Sequence, residues 1–164
     1  MKRNRRFEPL AEDAADTTSI RRRRLQGRDN RLGATDVTVE TLDVIFKLAE
    51  YATSIDEDGD LVVEHPAVRV CVRVDPKNQY IHFLAAYGVK PFAEMEAKYF
   101  LANRLNDTYH LARFFLPDPD LLAVDYSLSY ADGLTARALS TLFSRFAETV
   151  AEAVSECDDQ DLII

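Results

Sequence analysis

The sequence predicts an α+β domain, a small antiparallel sheet flanked by helices in the order α-β-β-β-α-β-β-α. Three observations predict it. Val68, Val70, Val72 and Val74 alternate with Arg69, Cys71 and Arg73, the period of a strand buried on one face. Residues 110–116 and 121–128 are strand-like and flank Pro117, Asp118, Pro119 and Asp120, a turn that fits a hairpin. Other stretches repeat apolar residues at three- and four-residue steps, as amphipathic helices do.

Taken in order, Val39, Leu42, Ile45, Phe46 and Ala49 stripe a first helix that starts near Thr38 and ends around Tyr51. The acidic run over 56–60 reads as a solvated turn leading from a short strand into a strand over 61–64. Neither register completes a calcium loop, since a start at Asp56 puts Leu61 and Ala67 at the glycine and glutamate positions and a start at Ser54 supplies Gly59 but ends on His65, so no metal site is assigned to it. Asp75, Pro76, Lys77 and Asn78 then turn the 68–74 strand into one over 80–86. Pro91 suits the first turn of a middle helix, which carries Phe92, Met95, Tyr99, Ala102 and Leu105 on one stripe and ends at Asn106. Its apolar positions spread beyond that stripe to Phe100 and Leu101, which points to a homodimer with Phe100 and Leu101 at the interface. In the second hairpin strand Leu122, Val124, Tyr126 and Leu128 mark the buried face. Thr135 caps the last helix, whose broad apolar face holds Leu139, Leu142, Phe143, Phe146, Val150 and Val154.

Charge divides the chain more sharply than hydropathy does. Residues 1–35 hold ten arginines or lysines against five acids, while the rest holds ten against twenty-three, so a net charge of −8 hides a basic arm on an acidic body. The expected organisation is a disordered basic arm over 1–35, a folded domain over 36–156 and an acidic C-terminal tail over 157–164. Arg21, Arg22, Arg23 and Arg24 read either as part of a solvated tail or as a partner-binding block for nucleic acid, acidic lipid or an acidic protein face. Arg69 and Arg73 lie opposite the valines, where they keep an open sheet face soluble or bind a partner.

Recognisable catalytic chemistry is absent from the sequence. His65, His82 and His110 fall in three different predicted strands, without zinc spacing. No Walker loop, dinucleotide-binding glycine turn or nucleophile elbow occurs, and five glycines leave little material for a phosphate cradle. Cys71 and Cys157 fit neither a disulfide framework nor a metal site. The chain therefore reads as non-enzymatic, with no cofactor. Lacking an apolar run of the ~20 residues that span a bilayer, or a signal-peptide pattern, it is expected in the cytoplasm.

The helix, strands, helix, two strands, helix order resembles the YbjN family of bacterial proteins, described as sensory transduction regulators. The resemblance covers about residues 38–154. It is carried by Leu61, Val62 and Val63, the 68–74 strand, Ala102 to Asn106 by way of Asn103, Arg104 and Leu105, the 121–128 strand, Gly133, Leu134 and Thr135, and Phe146. It implies a fold similar to type III secretion chaperones, whose protomers pair and bind extended protein segments, and it implies no catalytic residues. The function expected is a protein-binding or chaperone-like regulatory module; the alternative is a nucleic-acid-associated regulator using the arginine-rich arm.

Overall fold

A computed structural model of the protein describes residues 30–164. The first strand, β1 (Arg31–Leu32), and a 3-10 turn lead to α1 (Val39–Leu48), β2 (Ala52–Ile55), β3 (Leu61–Glu64), β4 (Arg69–Asp75) and β5 (Tyr80–Gly88). Then come α2 (Met95–Thr108), β6 (Arg113–Asp118), β7 (Leu121–Ser129), β8 (Leu134–Thr135) and α3 (Ala136–Cys157). Six strands form one antiparallel sheet in the order β2-β3-β4-β5-β7-β6, and β1 pairs with β8 in a separate ribbon. The α+β class stands, but four strands, not three, separate α1 from α2. The short strand ahead of the acidic turn is a full edge member of the sheet.

The alternations place one face of this sheet under the helices. Leu61, Val63, Val70, Val72, Ile81, Phe83, Leu122, Val124 and Phe114 are buried there. Against them pack Leu42 and Phe46 of α1, Leu101 and Leu105 of α2, and Leu139, Phe143, Phe146 and Val150 of α3. Phe143 lies at the centre, 4.7 Å from the Phe46 ring and 5.6 Å from the Phe83 ring. Both helix caps are local: Thr38 accepts the Thr41 N–H, and Thr135, the cap expected, accepts the Ala138 N–H.

Other expectations shift. Pro91 lies in a turn ahead of α2, whose N-cap is Glu94, and α2 runs past Asn106 to Thr108. Asn106 is instead a clamp. Its side-chain N–H donates to the carbonyls of Ala102 (2.9 Å) and Phe114 (2.7 Å), while its oxygen accepts the Phe114 N–H at 2.9 Å. An amide side chain thus supplies the backbone-like partner that the outer edge of β6 lacks. The first hairpin strand begins at Arg113, not at 110, and a register shift lies between Phe115 and Asp118.

Both domain boundaries move outward. Leu32 is buried, and β1 is held against β8, where Gly133 (φ 77°) leaves no room for a Cβ, which would lie 2.6 Å from the Leu32 carbonyl. The folded body therefore includes residues 30–35, while residues 1–29 lie outside the described residues. The acidic end is equally integral. Cys157 and Leu162 are buried, and Ile163 bridges to Val89. The Asp158 carboxylate accepts the N–H groups of Leu162 and Ile163 at 2.7 and 2.9 Å. Asp159 pairs with Arg104, Asp161 with Lys90, and Glu156 accepts the Tyr109 hydroxyl.

Candidate functional site

The second face of the sheet carries no helix among the described residues. Strand register lays it out in cross-strand rows: Val62, Cys71, Leu84, Asp125 and Arg113 in one, Arg73, His82 and Ser127 in the next, and Glu64 opposite Arg69. Val62, Leu84, Phe115 and Leu121 stand on this face and take no part in the core cluster. Its charges are paired within the sheet. Arg69 Nε donates to Glu64 at 2.7 Å. Arg73 donates through Nε (2.7 Å) and a terminal guanidinium nitrogen (2.6 Å) to Asp60. Arg113 makes a two-point contact with Asp125, and its guanidinium lies 4.9 Å from the centre of the Phe115 ring. His82 bonds Ser127 at 2.8 Å, and Tyr80 stacks on it.

Arg69 and Arg73 are thus on the uncovered face, as their alternation requires, but each is tied to a carboxylate, and the face is not a basic patch. Arg21, Arg22, Arg23 and Arg24 lie outside the described residues. Phe100 and Leu101 part company: Phe100 is 60% exposed on the outer side of α2, with Tyr99 beside it, whereas Leu101 is 5% exposed and belongs to the core. A one-residue step turns a helix by about 100°, enough here to carry Leu101 from the exposed side of Phe100 into the core. The interface reading of Leu101 is therefore corrected.

The closest grouping of metal-type ligands among the described residues is Asp56, Asp60 and Cys71, whose donor atoms lie within 4.8 Å of one another. It is a clamp. Asp60 is buried and holds the Arg73 guanidinium, while Asp56 accepts the N–H groups of Asp58 and Asp60 to close the hairpin. Burial first, and the Asp60 charge second, push the Cys71 thiol up to about 11. A protonated thiol beside a carboxylate already neutralised by arginine does not fit a resident cation or a nucleophile. The histidines are not brought together: His65 packs on Tyr51 and Phe143 and accepts the Ala67 N–H, and His82 bonds Ser127 on the uncovered face.

One buried charge escaped the sequence reading. Lys98, 1% exposed, donates to the Pro119 carbonyl (2.8 Å) and to Asp120 (3.1 Å), with the Pro91 carbonyl at 3.5 Å. It ties the start of α2 to the β6–β7 turn. No sequence signal marked it, since a lysine among glutamates on a helix ordinarily faces water.

The profile of the YbjN family, described as "Putative bacterial sensory transduction regulator", matches residues 38–159. No curated protein matches the chain. Among solved structures it is similar to YbjN from E. coli, described as "a putative transcription regulator", with a TM-score of 0.66 at 17% identity, covering 78% of this chain and 96% of that one. At that identity the likeness is one of fold. No helix among the described residues is long and apolar enough to cross a membrane. A profile match running from α1 through the whole sheet to the end of α3, on a fold shared with that structure, shows that this chain belongs to the YbjN family.

Proposed function

We propose that the domain is a non-enzymatic, chaperone-like regulatory module that grips a protein partner on the uncovered face of its sheet, in the cytoplasm. The observation that carries this reading is the face itself. Among the described residues helices occupy one side only, and the other offers Val62, Leu84, Phe115 and Leu121 between arginine–carboxylate pairs. An apolar strip edged by paired charges favours a protein surface with its own apolar and mixed-charge groups over a polyanion. Arg69 and Arg73 stand at the margin of that contact. The test is capture from a bacterial lysate by the full chain and by Leu84→Glu, with and without nuclease. A protein that survives nuclease and is lost by Leu84→Glu supports the reading; capture unaffected by the substitution overturns it for this face.

The homodimer belongs to a separate surface, around α2, where Tyr99, Phe100 and, in the turn ahead of the helix, Phe92 are all more than half exposed. Light scattering should give twice the chain mass, and Phe100→Asp should halve it without loss of stability. A monomer across micromolar concentrations refutes the dimer. One observation favours a second function: the basic arm stands against an acidic body, as in proteins that touch nucleic acid through an extension alone. Capture that vanishes with nuclease and with the 21–24 arginines replaced by serine is the outcome that reading requires.

A further inference from the structure

The two edges of the sheet are finished differently. At β6 the outward N–H and carbonyl of Phe114 are taken by Asn106. At β2 nothing comparable occurs among the described residues. The Asp56 N–H donates to the Asp60 carbonyl, which fixes the alternation along the β2–β3 pair. Ala52 and Ser54 therefore turn their backbones toward β3, and Thr53 and Ile55 turn theirs outward. This edge has no lysine or proline to blunt it, and Ile55 is 53% exposed. Acids flank it instead: exposed Glu50 before the strand and exposed Glu57 and Asp58 after it, carboxylates that make no hydrogen bond or ion pair among the described residues. Such a border repels the same edge of a second copy and selects a basic segment.

A basic segment is tethered within reach. The β2–β3 hairpin, the β4–β5 turn and the end of β7 lie at one end of the sheet, since Leu61 pairs with Val72, Asp75 with Tyr80, and Tyr80 with Ser129. The Tyr130 N–H donates to Gln79 there, and β8 leads to Ala136, whose N–H is taken by the Asn30 carbonyl. Asn30 thus enters the body near the end that carries the acidic hairpin, four strand spacings away, about 20 Å across the sheet. Arg24 precedes Asn30 by six residues and Arg21 by nine, which extended chain carries over roughly 20 to 30 Å. Of the acids near the C-terminus, Glu156, Asp158, Asp159 and Asp161 are committed to internal contacts.

We infer that the segment holding Arg21, Arg22, Arg23 and Arg24 docks in cis along the β2 edge, its backbone meeting Thr53 and Ile55 and its guanidinium groups meeting Glu57, Asp58 and Glu50. The arm then serves as an edge guard that a stronger acidic ligand can draw away. This goes beyond the partner reading above, which concerns the sheet face.

The experiment is amide exchange at Thr53 and Ile55 by NMR on the full chain, purified without a partner. Wild type should exchange these two amides about tenfold more slowly than a full-length variant with all four arginines changed to serine, the slowing expected for an edge covered about nine-tenths of the time. Glu57→Gln with Asp58→Asn should lose most of the same protection, and raising salt from 50 to 500 mM should erode it in wild type. The slowing should not change with protein concentration. Equal exchange in wild type and the serine variant overturns the inference, as does protection that survives the serine changes. Protection that grows with protein concentration would assign the edge to a second copy and overturn it too. Because no partner is present, this result and the lysate capture can fail independently.

Discussion

Replacing Asn106 by alanine tests whether one amide side chain closes the β6 edge. The perturbation removes three hydrogen bonds at once, to the Ala102 carbonyl and to both backbone groups of Phe114, a residue only 2% exposed. A neutral hydrogen bond contributes about 1 kcal/mol net, and a buried group left without a partner costs about 1–3 kcal/mol. Ala102 is in helical backbone and keeps other partners, so the loss falls mainly on Phe114, and Asn106→Ala should cost about 2–4 kcal/mol. With a urea slope of roughly 2 kcal/mol/M, the denaturation midpoint falls by about 1–2 M. Asn106→Asp sharpens the test. At neutral pH its carboxylate still accepts the Phe114 N–H but faces the Phe114 carbonyl without a proton to donate, and in acid it regains that proton. Its deficit relative to wild type should therefore shrink below about pH 4. Urea titration gives the energies, and amide exchange at Phe114 assigns them to the edge. An Asn106→Ala cost under ~0.5 kcal/mol, or a full loss of stability with Phe114 exchange unchanged, refutes the clamp.

Three further outcomes follow from the same contacts. Lys98→Ala should cost about 2–4 kcal/mol by emptying the space of the buried stem, whereas Lys98→Met, which keeps the volume and removes the charge, should cost under ~1 kcal/mol in the same titration; equal costs would mean that the ion pair and not the stem matters. Cys71, with its thiol pushed up to about 11, should react with iodoacetamide at pH 8 on the order of 100-fold more slowly than a free cysteine, and a rate near the free value sinks the protonated-thiol assignment. The hydrogen bond from Tyr109 to Glu156, with burial as the lesser cause, pushes the Tyr109 hydroxyl up to about 12. A folded-state value above the unfolded one of about 10 means stability that is complete below pH 10 and is lost as pH climbs through 12. Glu156→Gln should bring the tyrosinate absorbance onset down toward pH 10, and an onset unmoved by the change removes the bond from consideration.

How far the site could be read in advance depends on what kind of contact defines it. The uncovered face was legible because strand alternation alone puts Arg69 and Arg73 opposite Val70 and Val72. Their neutralisation by Glu64 and Asp60 was not, because it depends on register across the β3–β4 pair. The middle helix misled for a related reason. Phe92, Tyr99 and Phe100 look like core residues by type, yet all three are exposed, while Lys98 beside them is buried. α2 packs by a narrow face of Leu101, Ala102 and Leu105, and the sequence period there is weak because a charged residue occupies one of the buried positions.

The elements whose burial repeats with their own period were set by the sequence alone: α1 with its start near Thr38, α3 and its Thr135 cap, and the alternating strands β4 and β7. It determined as well the charge contrast between residues 1–35 and the rest. Only the tertiary structure decided that Asn106 serves Phe114, that Lys98 serves Pro119 and Asp120, and that the acidic end closes against β5. There Gly88 accepts the Ile164 N–H, and an added Cβ at Gly88 would lie 2.9 Å from the Ile164 side chain. Period records which side of an element is dry, a property of neighbouring residues; a polar side chain finds its partner on whatever backbone the packed elements bring within 3 Å, and that distance exists only once the chain has closed.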